Sequence, residues 1–240
     1  MASTSSNRRA QNLRRRLKRL AKRALSPRWL YLLRGTTSPI SARVGTDRGT
    51  PVDRFFIERF LSRHAHRIRD AVLEVKDGRY TTRYGGTRVT RSDILDVNRE
   101  NKDATILADI RDLNGIPDEA YDCFIITQVF QYVDDLDAAI RASRRVLKAG
   151  GCLLVTAPTL GKLDGQEDNV VGNYWRLTCD SARYLFGKHF PPERLEIQAW
   201  GNILVATSIL QGLALEEIAR RKLEYFDSRF PCGVTICAIK

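Results

Sequence analysis

The chain reads as an α/β fold: an open, mostly parallel sheet with helices on both faces. Three observations predict it. Apolar runs of strand length alternate with helix-period segments, residues 116–158 spell one complete strand–helix–strand unit, and each early strand runs into an acid. In that unit (IPDEAYDCFIITQVFQYVDDLDAAIRASRRVLKAGGCLLVTAP) the run 121–127, an acid followed by apolar residues, reads as a buried strand. Residues 134–147 place Leu136, Ala139, Ile140, Ser143, Val146 and Leu147 on one helical face, and Asp134 or Asp135 can cap its positive end. Gly150-Gly151 supplies a left-handed stop after Lys148, and 152–157 returns as a second buried strand.

The earlier strands fall at 71–75, ending in Glu74-Val75, at 88–92, leading to Asp93, and at 104–107, leading to Asp109. Ligands of open α/β sheets sit beyond the strand carboxyl ends where strand order reverses, so acids at three neighbouring strand ends share one crevice. Asp93 follows Glu74 by 19 residues, a spacing that suits an acid holding ribose hydroxyls. Ahead of the first strand, Thr50 can cap a helix with Pro51 and Asp53 in its first turn and Phe56, Ile57, Phe60, Leu61 and Ile68 on its apolar face. Beyond Pro158 come a polar loop at 159–172, a helix from Thr178 through Phe186, a strand at 195–200, a helix at 203–220 and a last strand at 234–239, which makes seven strands.

The wording of 121–158, with YWRLT at 174–178, resembles the small-molecule, type 11-like branch of the class I S-adenosylmethionine-dependent methyltransferases. The resemblance implies a Rossmann-like seven-stranded sheet whose last strand is antiparallel, with S-adenosylmethionine as cofactor. It places Glu74 near the methionine end, Gly78 in the cofactor-binding loop, Asp93 on the ribose, Asp109 and the Ile110 backbone beside the adenine, and Gln128 nearest the transferred methyl. Tyr174 and Arg176 become candidates for contacting the acceptor, and His189 a candidate base. That implies methyl transfer to a small-molecule or glycan-type acceptor. One departure bears on this: where the family reads E-x-G-x-G-x-G, this chain reads Glu74-Val75-Lys76-Asp77-Gly78-Arg79-Tyr80. A noncatalytic scaffold on the same fold is the competing expectation. A nicotinamide-dependent oxidoreductase is disfavoured because no GxGxxG follows the first strand.

Charge is distributed unevenly. Residues 1–46 hold 12 of the 40 Lys and Arg and no acid, so the other 194 residues carry 28 basic and 28 acidic side chains, and the net +12 belongs to the arm. A nucleic-acid groove across the domain is therefore not expected. The arm at 1–34 has Leu13, Leu17, Leu20, Ala21 and Ala24 near helical spacing among its basic residues, followed by Trp29 and Tyr31. This suits an anionic membrane surface or another polyanion, and the Arg- and Ser-rich, acid-free composition also resembles a transit peptide. Residues 35–50 read as a linker and 51–240 as the domain. With no secretory signal and no run near 18 apolar residues, the expected location is cytoplasmic or peripheral at a membrane surface. Five cysteines without a CxxC, and two histidines (His64, His66) on different helix faces, predict no metal site.

Overall fold

Seven strands form one sheet in the order β3-β2-β1-β4-β5-β7-β6. They are β1 (Asp70–Val75), β2 (Val89–Asp96), β3 (Ile106–Leu107), β4 (Tyr121–Thr127), β5 (Leu147–Pro158), β6 (Leu195–Trp200) and β7 (Gly233–Ile239). All pairings are parallel except those of β7, which runs antiparallel to both β5 and β6. The expected topology holds, including its single antiparallel strand. This is a computed structural model, and it describes residues 17–18, 37–163 and 172–240. Apart from Leu17 and Lys18, the basic helix expected from the arm lies outside the described residues, as does the middle of the 159–172 loop.

Period-two alternation along the central strands builds two cores. Phe124 and Ile126 of β4, with Leu153 and Val155 of β5, join Leu136, Ala139, Ile140 and Val146 of helix α2 (Leu136–Val146) and Ala182 and Phe186 of α3 (Cys179–Gly187). On the other face Cys123, Ile125, Cys152 and Leu154 meet Ile57, Phe60 and Leu61 of α1 (Asp53–Arg63). Each fully buried Leu, Ile, Val or Phe among them contributes about 1.5–3 kcal/mol of transfer free energy. Caps fix the helix starts: Asp135 Oδ1 accepts from Ala138 N at 2.9 Å, and Thr178 and Ser181 form a reciprocal box at the head of α3. Asp134, the other cap considered, pairs with Arg111 instead.

Several expected boundaries move: the helix expected from a Thr50 cap begins at Asp53, with Pro51 in a bridge to Ala214, and the strand expected at 104–107 is confined to Ile106–Leu107. The strand expected at 88–92 continues to Asp96, because Ile94 and Leu95 extend the ladder opposite Glu74 and Val75. The helix expected to stop at Gly150-Gly151 ends at Val146, and Leu147 passes directly into β5. The glycine pair lies inside β5: Gly150 has φ +77°, and a Cβ at Gly151 would come within 2.9 Å of the Lys148 carbonyl. These residues bend the start of the strand beside the register shift between Tyr121 and Cys123. The helix expected at 203–220 is broken into α4 (Ile203–Leu210) and α5 (Arg220–Glu224). Gly212 between them takes φ +63°, with its Cα so close to Ser41 that a Cβ would lie 2.1 Å from that carbonyl.

The chain divides into two units, Phe56–Asn202 with Phe226–Lys240, which holds the sheet, and Met1–Phe55 with Ile203–Tyr225. Inside the second unit Arg48 and Glu217 form a two-bond ion pair at 2.7 and 3.0 Å, with side chains only 3% and 4% exposed. The candidate site lies wholly within the sheet unit.

Candidate functional site

Strand order reverses between β1 and β4, and the residues just beyond their carboxyl ends are where an open sheet of this kind takes a ligand. On the β1 side the key group is Glu74, 3% exposed. Its carboxylate accepts from Tyr80 N at 3.1 Å, Thr81 N at 2.7 Å and Thr81 Oγ1 at 2.7 Å. The loop 76–79 is thereby tied back onto the strand, and amides that open the helical turn Thr81–Gly85 gain an acceptor. Burial pushes the Glu74 carboxyl up to about 7, against those three donors, which favour the charged form.

Lys76 occupies the position where the family pattern has its first glycine. It adopts φ +78°, a left-handed conformation that L side chains avoid at a cost of about 1–2 kcal/mol. Two hydrogen bonds hold it there: Lys76 N donates to Leu95 O at 2.8 Å, and Asn101 Nδ2 donates to Lys76 O at 2.8 Å. Its side chain is exposed. Gly78, the second glycine, is retained, and a Cβ there would meet Ile94 at 3.5 Å and Ser92 Oγ at 3.8 Å, both ordinary contacts, so packing among the described residues does not demand glycine.

On β2 the acids are arranged differently from the expectation. Asp93 lies mid-strand opposite Leu73, with its carboxylate taken by Tyr121 Oη (2.9 Å), Arg91 Nε (3.1 Å) and Thr105 Oγ1 (3.2 Å). It does not end the strand. The acid that does is Asp96, whose oxygens accept from Asn98 N at 2.9 Å and Asn101 Nδ2 at 2.6 Å. A carboxylate has about four acceptor sites, so two are left for a diol. The signal lies in the sequence, since the apolar pair Ile94-Leu95 follows Asp93 before the next acid. Asp109 lies two residues past β3 as expected, next to buried Ile110. Arg111 grips its carboxylate through Nε and a terminal nitrogen at 2.6 Å, and those bonds hold the Asp109 carboxyl below the usual range.

At the end of β4, Gln128 takes φ +55°, with its amide donating to Thr156 O at 2.9 Å and its side chain reaching Thr156 Oγ1 at 3.4 Å. A non-glycine residue in this conformation marks a spot that the surroundings over-determine, as functional sites often are. Gln131, which sequence reasoning passed over, follows in the turn Phe130–Tyr132. Its backbone carbonyl accepts from Tyr174 N at 2.7 Å, which draws the YWRLT segment to the carboxyl end of β4. Gln131 Oε1 is buried with no partner among the described residues, a condition that costs about 1–3 kcal/mol. Tyr174 is 51% exposed there, whereas Arg176 bonds Asn173 Oδ1 at 2.5 Å and the Trp175 and Lys162 carbonyls. His189 is not brought to these residues. It bonds Asp137 at 3.2 Å and lines, with Arg141, Arg144, Lys188 and Lys240, a separate open cavity of about 760 Å³.

The buried Glu74 predicts a pH signature. Its folded value, about 7, lies above the ordinary 4.5, so the folded state holds this proton more tightly than the unfolded chain does. That stabilisation is complete below pH 4.5, declines as pH rises through 7, and amounts to about 3 kcal/mol in all. Chemical denaturation of wild type and Glu74→Gln across pH 4.5–8 measures it. Wild type should lose stability relative to the variant as pH rises; parallel curves would contradict the buried-acid assignment.

A family model described as a methyltransferase domain matches residues 77–155. No curated protein matches the sequence. Among solved structures, a SAM-dependent methyltransferase from Archaeoglobus fulgidus is similar with a TM-score of 0.51 at 15% identity, over 78% of this chain and 94% of that one. The [4+2]-cyclase SpnF matches with a TM-score of 0.50 at 18% identity, over 76% and 81%. The Haemonchus contortus phosphoethanolamine N-methyltransferase 2, solved with phosphomonomethylethanolamine and S-adenosylhomocysteine, matches with a TM-score of 0.50 at 12% identity, over 88% of this chain and 57% of that one. Likeness at these identities establishes the fold, and that a cyclase shares it shows that the fold alone does not set the reaction. The family match runs from the loop after β1 through β2, β3, β4 and α2 into β5, so residues 77–155 are similar to a methyltransferase domain and the sheet has the Rossmann-like methyltransferase fold.

Proposed function

We propose that this chain binds S-adenosylmethionine at the β1–β4 crevice and transfers its methyl group to a small-molecule or glycan-type acceptor. The observation that carries the reading is Lys76: the loop after β1 keeps a glycine-like backbone at that position without the glycine, fixed by Leu95, Asn101 and the Glu74 clamp. When bound, the cofactor supplies an activated methyl on a sulfonium centre, and the protein's part is to position the two partners. Glu74 holds the loop that would pass along the methionine end, and Gly78 leaves that backbone bare for close approach. Asp96 takes the ribose role first expected of Asp93, because it has both the strand-end position and the spare acceptor sites. Asp109 and Ile110 flank the adenine side, with Ile110 as the apolar wall, since the Asp109 carboxylate is held by Arg111. Gln128 stands at the methyl end, and exposed Tyr174 faces the acceptor side.

The arm extends the proposal to location: its acid-free run of Lys and Arg suits an anionic lipid surface. Full-length protein should bind phosphatidylserine-containing vesicles, and the binding should fall steeply between low and physiological salt as screening shortens the reach of each charge. Binding that persists after removal of residues 1–46 would refute the arm as anchor.

The ribose assignment is tested by calorimetric titration of S-adenosylhomocysteine into Asp96→Ala and Asp93→Ala. Loss of a charge-assisted hydrogen bond of about 1.5–3 kcal/mol should weaken binding by roughly 10- to 100-fold in Asp96→Ala. Asp93→Ala, when folded, should retain affinity within a few fold. The reverse ranking would return the ribose to Asp93.

A further inference from the structure

The orientation of one buried amide narrows what the acceptor presents to this crevice. Gln131 is 5% exposed, and its Nε2 donates to the Gln128 carbonyl at 3.0 Å. A carbonyl oxygen can only accept, so the amide cannot be turned round, and Oε1 is directed away from Gln128. That oxygen meets no donor among the described residues. Nor is the turn at liberty to rearrange: the Gln131 backbone carbonyl already receives Tyr174 N at 2.7 Å and Trp175 N at 3.4 Å, and Trp175 Nε1 is anchored on Val133 O at 2.7 Å. An acceptor fixed, buried and unmatched among the described residues at the carboxyl end of β4, three residues beyond Gln128, calls for a donor from beyond them.

We propose that Gln131 Oε1 receives the N–H or O–H of the group to be methylated, so that the acceptor of this protein presents a protic nitrogen or oxygen and not carbon. The inference rests on the reading of this crevice as the methyl-transfer site. Chemistry separates the candidates: an amine, a ring N–H or a hydroxyl satisfies the amide oxygen, whereas a C–H does so weakly. A glutamine at this point has no titratable group, so its role is to orient the nucleophile. Neither Glu74, filled by Tyr80 and Thr81, nor Thr156 Oγ1, reached by Gln128 Nε2, duplicates that acceptor.

Two cofactor analogues test this without knowledge of the natural acceptor. Sinefungin carries an amine-bearing carbon where S-adenosylmethionine carries its methylated sulfur; S-adenosylhomocysteine has no donor there; both share the α-ammonium of the methionine end. Each is titrated calorimetrically into full-length wild type, Gln131→Met, which keeps the side-chain length, and Gln131→Glu, which keeps an acceptor. We expect Gln131→Met to lose about tenfold or more in sinefungin affinity, near 1.4 kcal/mol, with S-adenosylhomocysteine within a few fold of wild type, and Gln131→Glu to retain sinefungin binding. Equal losses for both ligands would assign Oε1 to the α-ammonium and overturn the proposal, as would no loss for either. If wild type binds neither analogue, the methyl-transfer reading itself falls and takes the proposal with it. Binding of S-adenosylhomocysteine with no response of sinefungin to either substitution overturns the proposal alone.

Discussion

The buried carboxylate of Glu74 is the interaction on which the site depends. It is placed at the end of β1 with almost no exposure, and three donors from Tyr80 and Thr81 converge on it. An isolated carboxylate at that depth would be strongly disfavoured; with its donors it becomes the tie that closes the loop. Remove the tie and two buried amides lose their acceptor, the helical turn Thr81–Gly85 loses its start, and Lys76 loses one side of the frame that keeps it left-handed. Asn101 links that frame to β2, because the same side-chain nitrogen reaches both Lys76 O and Asp96 Oδ2. The loop after β1 and the acid after β2 are thus parts of one hydrogen-bonded arrangement.

This arrangement explains how lysine can stand in a left-handed conformation at a position where the glycine-rich pattern has its first glycine. Glycine lowers the conformational penalty of a left-handed turn; a network of fixed hydrogen bonds can offset the same penalty for lysine. The exposed Lys76 side chain, directed away from the core, leaves the penalty purely one of backbone. The fold, by contrast, is built conventionally. Strands β4 and β5 are buried on both faces, each face is covered by helices, and the switch in strand order puts Glu74 and Gln128 at adjacent strand ends.

Much of this was legible in the sequence, and the exceptions have physical causes. The strand–helix–strand unit at 116–158 could be read because its apolar runs, cap and helical face all agree. Asp93 resembles a strand end because an acid in a run of mixed polarity reads as a boundary; in the sheet Arg91, two residues back on the same strand, meets its charge, and Tyr121, distant in sequence, donates to it. The helix after β6 is shorter than its sequence pattern suggests, because Gly212 takes a left-handed turn in close approach to Ser41, distant in sequence. His189 looked like a candidate base in isolation, yet its partner is Asp137 on α2. Gln131 carried no motif at all, and only the direction of its amide distinguishes it.

The central claim is that a glycine-poor loop, held by Glu74 and Asn101, still forms a cofactor site. Calorimetric titration of the full-length wild-type chain with S-adenosylhomocysteine addresses it most directly. The account predicts saturable binding of one ligand per chain. No binding up to about 1 mM ligand, the concentration scale of a dissociation free energy near 4 kcal/mol, with the chain verified as folded, would contradict it.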